Sequence, residues 1–119
     1  MTVALAIKEK KEMKIDKREN MRGGQGTVTV TNHAEKEQME HCRLFCEMSI
    51  PPNGSVGEHD HVNETEYYLI QEGIGIVVDD GVEKKIGRGD MIITGGGASH
   101  SIRNMGTTPL VITAVIITD

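Results

Sequence analysis

From Cys42 to the C-terminus the chain is cut into short β-prone runs by glycine, and no helical period is sustained. Runs near 42–50, 56–61, 66–71, 73–79, 82–86, 90–94, 99–104 and 109–118 are rich in Val, Ile and Thr. Between them stand Pro51-Pro52-Asn53-Gly54, Gly73, Asp79-Asp80-Gly81, Gly87-Arg88-Gly89, Gly95-Gly96-Gly97 and Gly106. Strand signals repeating at roughly 8–12 residues with such turns fold into a sandwich or barrel. The spacing therefore predicts an all-β domain, with Asp80-Gly81 as a tight hairpin turn.

Upstream, Thr27-Val28-Thr29-Val30-Thr31 alternates β-branched residues and reads as one more strand. Residues 32–41 are polar and fit a loop or a short helix. Residues 1–26 are polar and charged, and read as an N-terminal arm that is either mobile or paired to a sheet edge. The expected organisation is an arm over 1–26 and one β-domain over 27–119, since a chain of 119 residues fits one domain.

Composition narrows the core and the partners. Fourteen glycines against only three aromatics, Phe45, Tyr67 and Tyr68, imply many turns around an aliphatic core. On the 42–50 run, Leu44, Cys46, Met48 and Ile50 form the expected core face, with Arg43, Phe45, Glu47 and Ser49 opposite. The net charge of −5 and the scarcity of stacking rings argue against a nucleic-acid partner. Lysines and arginines before position 23 alternate with acidic residues, as in a solvated segment. No run approaches the ~18 apolar residues of a membrane span. Val3–Ile7 is shorter than the core of a signal peptide, so a cytoplasmic protein is expected. Cys42 and Cys46 lie about 13 Å apart on an extended strand, beyond the ~7 Å that a disulfide tolerates. They are expected as two thiols on one face.

Histidine is scarce, yet His59 and His61 stand two residues apart. On a strand that spacing puts both imidazoles on one face, with Cα atoms about 6.6 Å apart, able to converge on a metal. Glu64 and Glu66 follow. After a turn at 62–65, Glu66 would open a strand antiparallel to the first and present its carboxylate to the same point. Glu64 has the same parity, so strand geometry does not separate the two. His100, behind the triple glycine, is the fourth candidate. Three imidazoles and a carboxylate suit Mn, Fe, Co, Ni or Zn. Six-coordinate geometry would leave two positions for water or a chelating substrate. The shortage of aromatic rings favours a small polar ligand.

These residues fall into two motifs. The first is Gly54, four residues, His59-Asp60-His61, four residues, Glu66, six residues, Gly73. The second is Gly89, five residues, Gly95-Gly96-Gly97, two residues, His100, three residues, Asn104. Together they resemble the paired motifs of the cupin superfamily. The lead glycine stands one residue closer to the first histidine than in the family pattern, and Gly95 replaces a proline. The resemblance spans about 42–117. It implies a double-stranded β-helix, or jelly-roll, barrel with a metal inside, typically in a dimer. It implies His59, His61, Glu66 and His100 as ligands of one divalent transition metal, manganese being favoured; the spacing from Glu66 to Gly73 prefers Glu66 over Glu64.

The arm Glu19-Asn20-Met21-Arg22-Gly23-Gly24 and the single domain are similar to small bacterial cupins labelled oxalate decarboxylase-like. That likeness implies a metal-dependent enzyme acting on a small carboxylate or a sugar-derived substrate. Two-domain oxalate decarboxylases carry an essential arginine three residues before the first motif histidine; here the position is Val56. A non-catalytic module that binds or senses a small ligand is the alternative, as is a sugar or sugar-phosphate isomerase. Tyr68, which shares the parity of Glu66, and Arg22, from the arm, are candidate substrate-binding residues. No catalytic residue is assigned. The strand-bearing N-terminal segment invites exchange across a two-fold axis, so a homodimer is expected.

Overall fold

The structure, a computed structural model, describes residues 5–119; residues 1–4, and with them the start of the Val3–Ile7 run, lie outside it. The described residues form ten strands: β1 (Ile15–Glu19), β2 (Thr27–Asn32), β3 (Cys42–Ile50), β4 (Ser55–Asp60), β5 (Glu64–Glu72), β6 (Ile74–Asp79), β7 (Val82–Gly87), β8 (Met91–Gly95), β9 (Ser99–Asn104) and β10 (Leu110–Thr118). The only helical pieces among the described residues are three single 3-10 turns, Lys10–Glu12, Met21–Gly23 and Lys36–Gln38.

All pairings are antiparallel and form two sheets, β1-β2-β3-β10-β5-β8 and β4-β9-β6-β7. This is a jelly-roll, in which two antiparallel sheets face each other. The segment 15–19 takes the edge-pairing option, running along β2 from Ile15 opposite Thr31 to Glu19 opposite Thr27. Asp16, Lys17, Arg18 and Glu19 on that outermost strand discourage further strand addition.

Alternation builds the core. Cys46, Met48 and Ile50 of β3 point inward with Ile112 and Ala114 of β10 and Ile70 of β5, all essentially without solvent exposure. Ile102 and Val56 close it from the facing sheet. Both cysteines are free, Cys46 buried and Cys42 half-buried. Asp80 (φ 49°) and Gly81 (φ 85°) are both left-handed, as a type I′ hairpin between β6 and β7 requires.

The strand that carries Glu66 does not pair as the sequence suggests. The expectation places it beside the His59 strand, opening with Glu66 after a turn at 62–65. Instead, β4 lies in the four-stranded sheet and β5 in the six-stranded one, and β5 opens at Glu64. The chain steps from one sheet to the other at residues 61–63, helped by Asn63 in a left-handed conformation (φ 58°). In a jelly-roll such a step puts sequence neighbours opposite each other across the core, not side by side. Glu66 therefore reaches the histidines across the interior.

A candidate metal centre

The four candidate ligands come from three strands and one crossover. His59 lies on β4 directly opposite His100 on β9. His61 sits just past the end of β4, its backbone N–H donating to the Ala98 carbonyl (3.1 Å). Glu66 arrives from β5 in the facing sheet. His61, Glu66 and His100 are buried and His59 nearly so.

Their donor atoms converge. His61 Nε2 is 3.0 Å from His100 Nε2 and 3.0 Å from Glu66 Oε1. His100 Nε2 is 3.0 Å from Glu66 Oε1 and 3.1 Å from His59 Nε2. His59 Nε2 and Glu66 Oε1 are farther apart, at 3.9 Å. One donor atom from each of the four lies within 4.8 Å of the others. Ligands about 2.1–2.2 Å from one ion are about 3.0–3.1 Å apart when cis in an octahedron, against about 3.3–3.4 Å in a tetrahedron with bonds of about 2.0–2.1 Å. The four short edges are of the length expected for donors that would share one divalent ion.

For two of the three imidazoles the surroundings leave a lone pair facing this point in the neutral ring; His100 Nδ1 is buried without a partner among the described residues. The Nδ1 of His59 is bonded to the Gly57 carbonyl (2.8 Å), which requires the proton to be on Nδ1. The Nδ1 of His61 is bonded to Glu64 Oε2 (2.5 Å), with the same consequence. Glu66 Oε1 is buried without a hydrogen-bond partner among the described residues. Burial opposes the charge on Glu66, but hydrogen bonds from N–H groups of His100 and His59, in the form without an ion, outweigh it and hold the pKa down at about 2. A buried carboxylate facing imidazole lone pairs is satisfied by a cation, so these residues fit a divalent metal ion. Cys46 lies close enough to feel the Glu66 charge. Burial first, then that charge, pushes its thiol up to about 12, and its sulfur is not among the four converged donors.

Two residues stand behind His61: Glu64, weighed from the sequence only as an alternative ligand to Glu66, and Arg43, which sequence reasoning did not place at the site. Arg43 on β3 grips Glu64 with both arms, Nε to Oε1 at 2.6 Å and Nη2 to Oε2 at 2.7 Å. The guanidinium hydrogen bond, with a smaller contribution from His61, holds the Glu64 carboxyl down at about 2. Glu64 is thus the positioner of a ligand. Its place three residues after His61 was a usable signal. Nothing in the sequence marked Arg43.

The centre opens into a cavity of about 280 Å³ lined by His59, His61, Glu66 and Tyr68. Tyr68 is buried, and its ring stacks on His100 with centroids 4.9 Å apart and planes 19° from parallel. Burial and the neighbouring Glu66 carboxylate push its phenol well above the ordinary value, so it remains a hydroxyl donor. The outer wall carries Lys14, Arg18, Arg22, Lys36 and Arg43. The same lining carries the carboxylates Asp16, Glu35 and Glu66, so five cations face three acids and leave a small positive excess in a chain of net charge −5. Arg22 comes from the same chain's arm. A larger groove of about 580 Å³, along Gly54, Ser101 and Arg103, contains none of the four donors. His33 packs edge-on against Phe45 and is not among the cluster.

The family model described as "Cupin domain" matches residues 46–116, and the chain belongs to the cupin family. An "Oxalate-binding protein" of Thermotoga maritima is 46% identical over 99 residues, 82% of either sequence. A crystal structure described as a predicted oxalate decarboxylase from Thermotoga maritima superposes with a TM-score of 0.91 at 41% identity. The match covers 96% of this chain and 100% of that one. A cupin domain of Schizosaccharomyces pombe, 12% identical, has a TM-score of 0.72 over 87% of this chain and 69% of its own, and shares the fold alone.

Proposed function

We propose that this protein binds a small dicarboxylate of the oxalate class on a divalent transition metal held by His59, His61, Glu66 and His100. The observation that carries the reading is the cavity itself: four converged donors at its floor and, above them, a wall with more cations than carboxylates. A metal ion there would act as a Lewis acid on carboxylate oxygens. The residues of the chain do the rest. Tyr68 presents a protonated phenol, the cationic wall neutralises the charge that the metal does not, and the 280 Å³ volume admits only a small molecule. The name of the Thermotoga maritima relative supports the same ligand class.

Manganese is the metal we favour, as the family resemblance does, and the hard carboxylate beside three imidazoles suits it. Two free thiols support a reducing, cytoplasmic setting. Exposed Met91 and Ile93 on edge strand β8 support pairing of two copies as a homodimer.

Turnover is the second reading, with Tyr68 lining the same cavity. Oxalate would consume one proton and give formate and CO2. Against it, Val56 is buried in the core where the resembling decarboxylases carry arginine. The test is elemental analysis of protein purified without added metal, then calorimetry of Mn-, Fe- and Zn-loaded protein with oxalate, malonate and small sugars. The reading expects about one metal per chain, lost in a His59→Ala/His61→Ala variant, and oxalate binding only when metal is present. Equal metal content in both proteins sinks it. Formate release separates turnover from binding.

A further inference from the structure

The arm turn at Met21–Gly24 is seated against β4 by two bare backbone contacts. A Cβ built on Gly57 would stand 2.1 Å from the Arg22 carbonyl oxygen, and one on Gly24 would stand 2.2 Å from that of Ser55. Both glycines are there for close approach; neither has a left-handed φ. The β4–β9 ladder shifts register between Val56 and His59, so the turn rests on an irregular part of the strand. Met21 packs against the core from the same turn. Between these anchors Arg22 is held at φ 56°, ψ 30°, a conformation that residues other than glycine seldom adopt. Such a conformation persists only where neighbouring contacts impose it, and it concentrates at functional sites.

The held residue lines the metal cavity. The other cations of the wall are mostly engaged. Arg43 is gripped by Glu64, while Lys14 and Arg18 face Asp16 at 4.0 and 3.9 Å. The Arg22 and Lys36 side chains line the cavity with no hydrogen bond or ion pair among the described residues. Of these two, Arg22 is near enough for its charge to bear on the buried Tyr68 that stacks on His100. An exposed guanidinium without a partner, carried on a backbone held beside a metal-binding floor, is complementary to an anion lying between them.

Resting on the dicarboxylate reading, we propose that Arg22 is the specificity-determining residue of this site: its guanidinium forks onto oxygens of a metal-chelated dicarboxylate that are not on the metal, and so selects a dianion over a chelating monoanion of similar size. Oxalate keeps one free oxygen on each carboxylate when it chelates through the other two. Glycolate, which chelates through a carboxylate and a hydroxyl oxygen, keeps only one. Gly57 is a positioning residue for the same device, since it both seats the Arg22 backbone and accepts the His59 Nδ1 proton.

The experiment is calorimetry of the Mn-loaded full chain with oxalate and with glycolate, for wild type, Arg22→Ala, Arg22→Lys and Lys36→Ala, with Mn affinity measured separately for each. Arg22→Ala is expected to weaken oxalate on the order of 10- to 100-fold and glycolate by less than about 3-fold, with Mn affinity unchanged. Arg22→Lys restores part of the loss, because a point charge lacks the fork. An oxalate-to-glycolate ratio unchanged in Arg22→Ala overturns the proposal, as does a ratio that collapses in Lys36→Ala instead. A wild type that binds metal but neither anion defeats the dicarboxylate reading as a whole, an outcome distinct from the failure of Arg22 alone.

Discussion

His61 Nδ1 lies 2.5 Å from Glu64 Oε2, and this pairing decides which nitrogen of His61 faces the centre. With the proton on Nδ1, Nε2 carries the lone pair and points at His100 and Glu66. Arg43 completes the chain by holding both oxygens of Glu64. Partners of this kind orient metal-ligating imidazoles, and their loss commonly costs about 10–100-fold in metal affinity. Glu64→Gln and Arg43→Ala are therefore expected to weaken Mn binding by roughly that factor while the β-sheet circular dichroism is kept. Competition against a fluorescent chelator measures it. Affinity within about 2-fold of wild type in both variants would show that the relay does not position His61.

The same pairing predicts an acid response. Glu64 has a folded pKa of about 2 against an ordinary 4.5. A depressed carboxyl contributes stability above its unfolded value and loses it as pH falls toward the folded one. The window is thus pH 4.5 down to about 2. Metal-free Arg43→Ala lacks the main cause of the depression. Its deficit against wild type in urea unfolding should be full at pH 6 and shrink as pH falls through that window. Glu66, also held near 2, is present in both proteins, so its effect largely cancels in the comparison. A deficit that stays constant across the window contradicts the assignment.

Asn104 fastens a loop to the core. Its Nδ2 donates to the carbonyls of Ile50 and Thr108, both at 2.9 Å, and its Oδ1 accepts from the Gly106 N–H at 2.8 Å. The residue is buried, so removing its amide leaves these backbone groups without their partner. Asn104→Ala is expected to cost about 2–4 kcal/mol. For a domain of this size that lowers Tm by about 10 °C. Differential scanning calorimetry of the metal-free protein reads the change, and a shift under about 2 °C refutes the role.

Gly57→Ala puts a methyl group where the Arg22 carbonyl oxygen now sits, 2.1 Å from the ideal Cβ. The obstacle is backbone, so the arm turn must move away. Trypsin should then cut at Arg18 and Arg22 several-fold faster than in wild type. Metal affinity should fall as well, since the Gly57 carbonyl orients His59. Unchanged cleavage kinetics would mean that the arm is seated by other contacts.

What the sequence determined by itself is local. Turn chemistry and parity are carried by consecutive residues, so the strands, the Asp80-Gly81 hairpin and the inward face of Cys46, Met48 and Ile50 were legible before any fold was known. So were the four donors, because His59, His61 and Glu66 fall within eight residues of each other and His100 sits behind a marked turn. Only the tertiary structure decided what depends on pairing between distant residues. Parity could not tell Glu64 from Glu66; the crossover at 61–63 set one against Arg43 and His61 and sent the other across the core to the donors. Arg43 joined the site through sheet pairing that aligns β3 with β10 and β10 with β5. The arm became a wall of the cavity because bare backbone at Gly24 and Gly57 lets two chains meet closer than any side chain would allow.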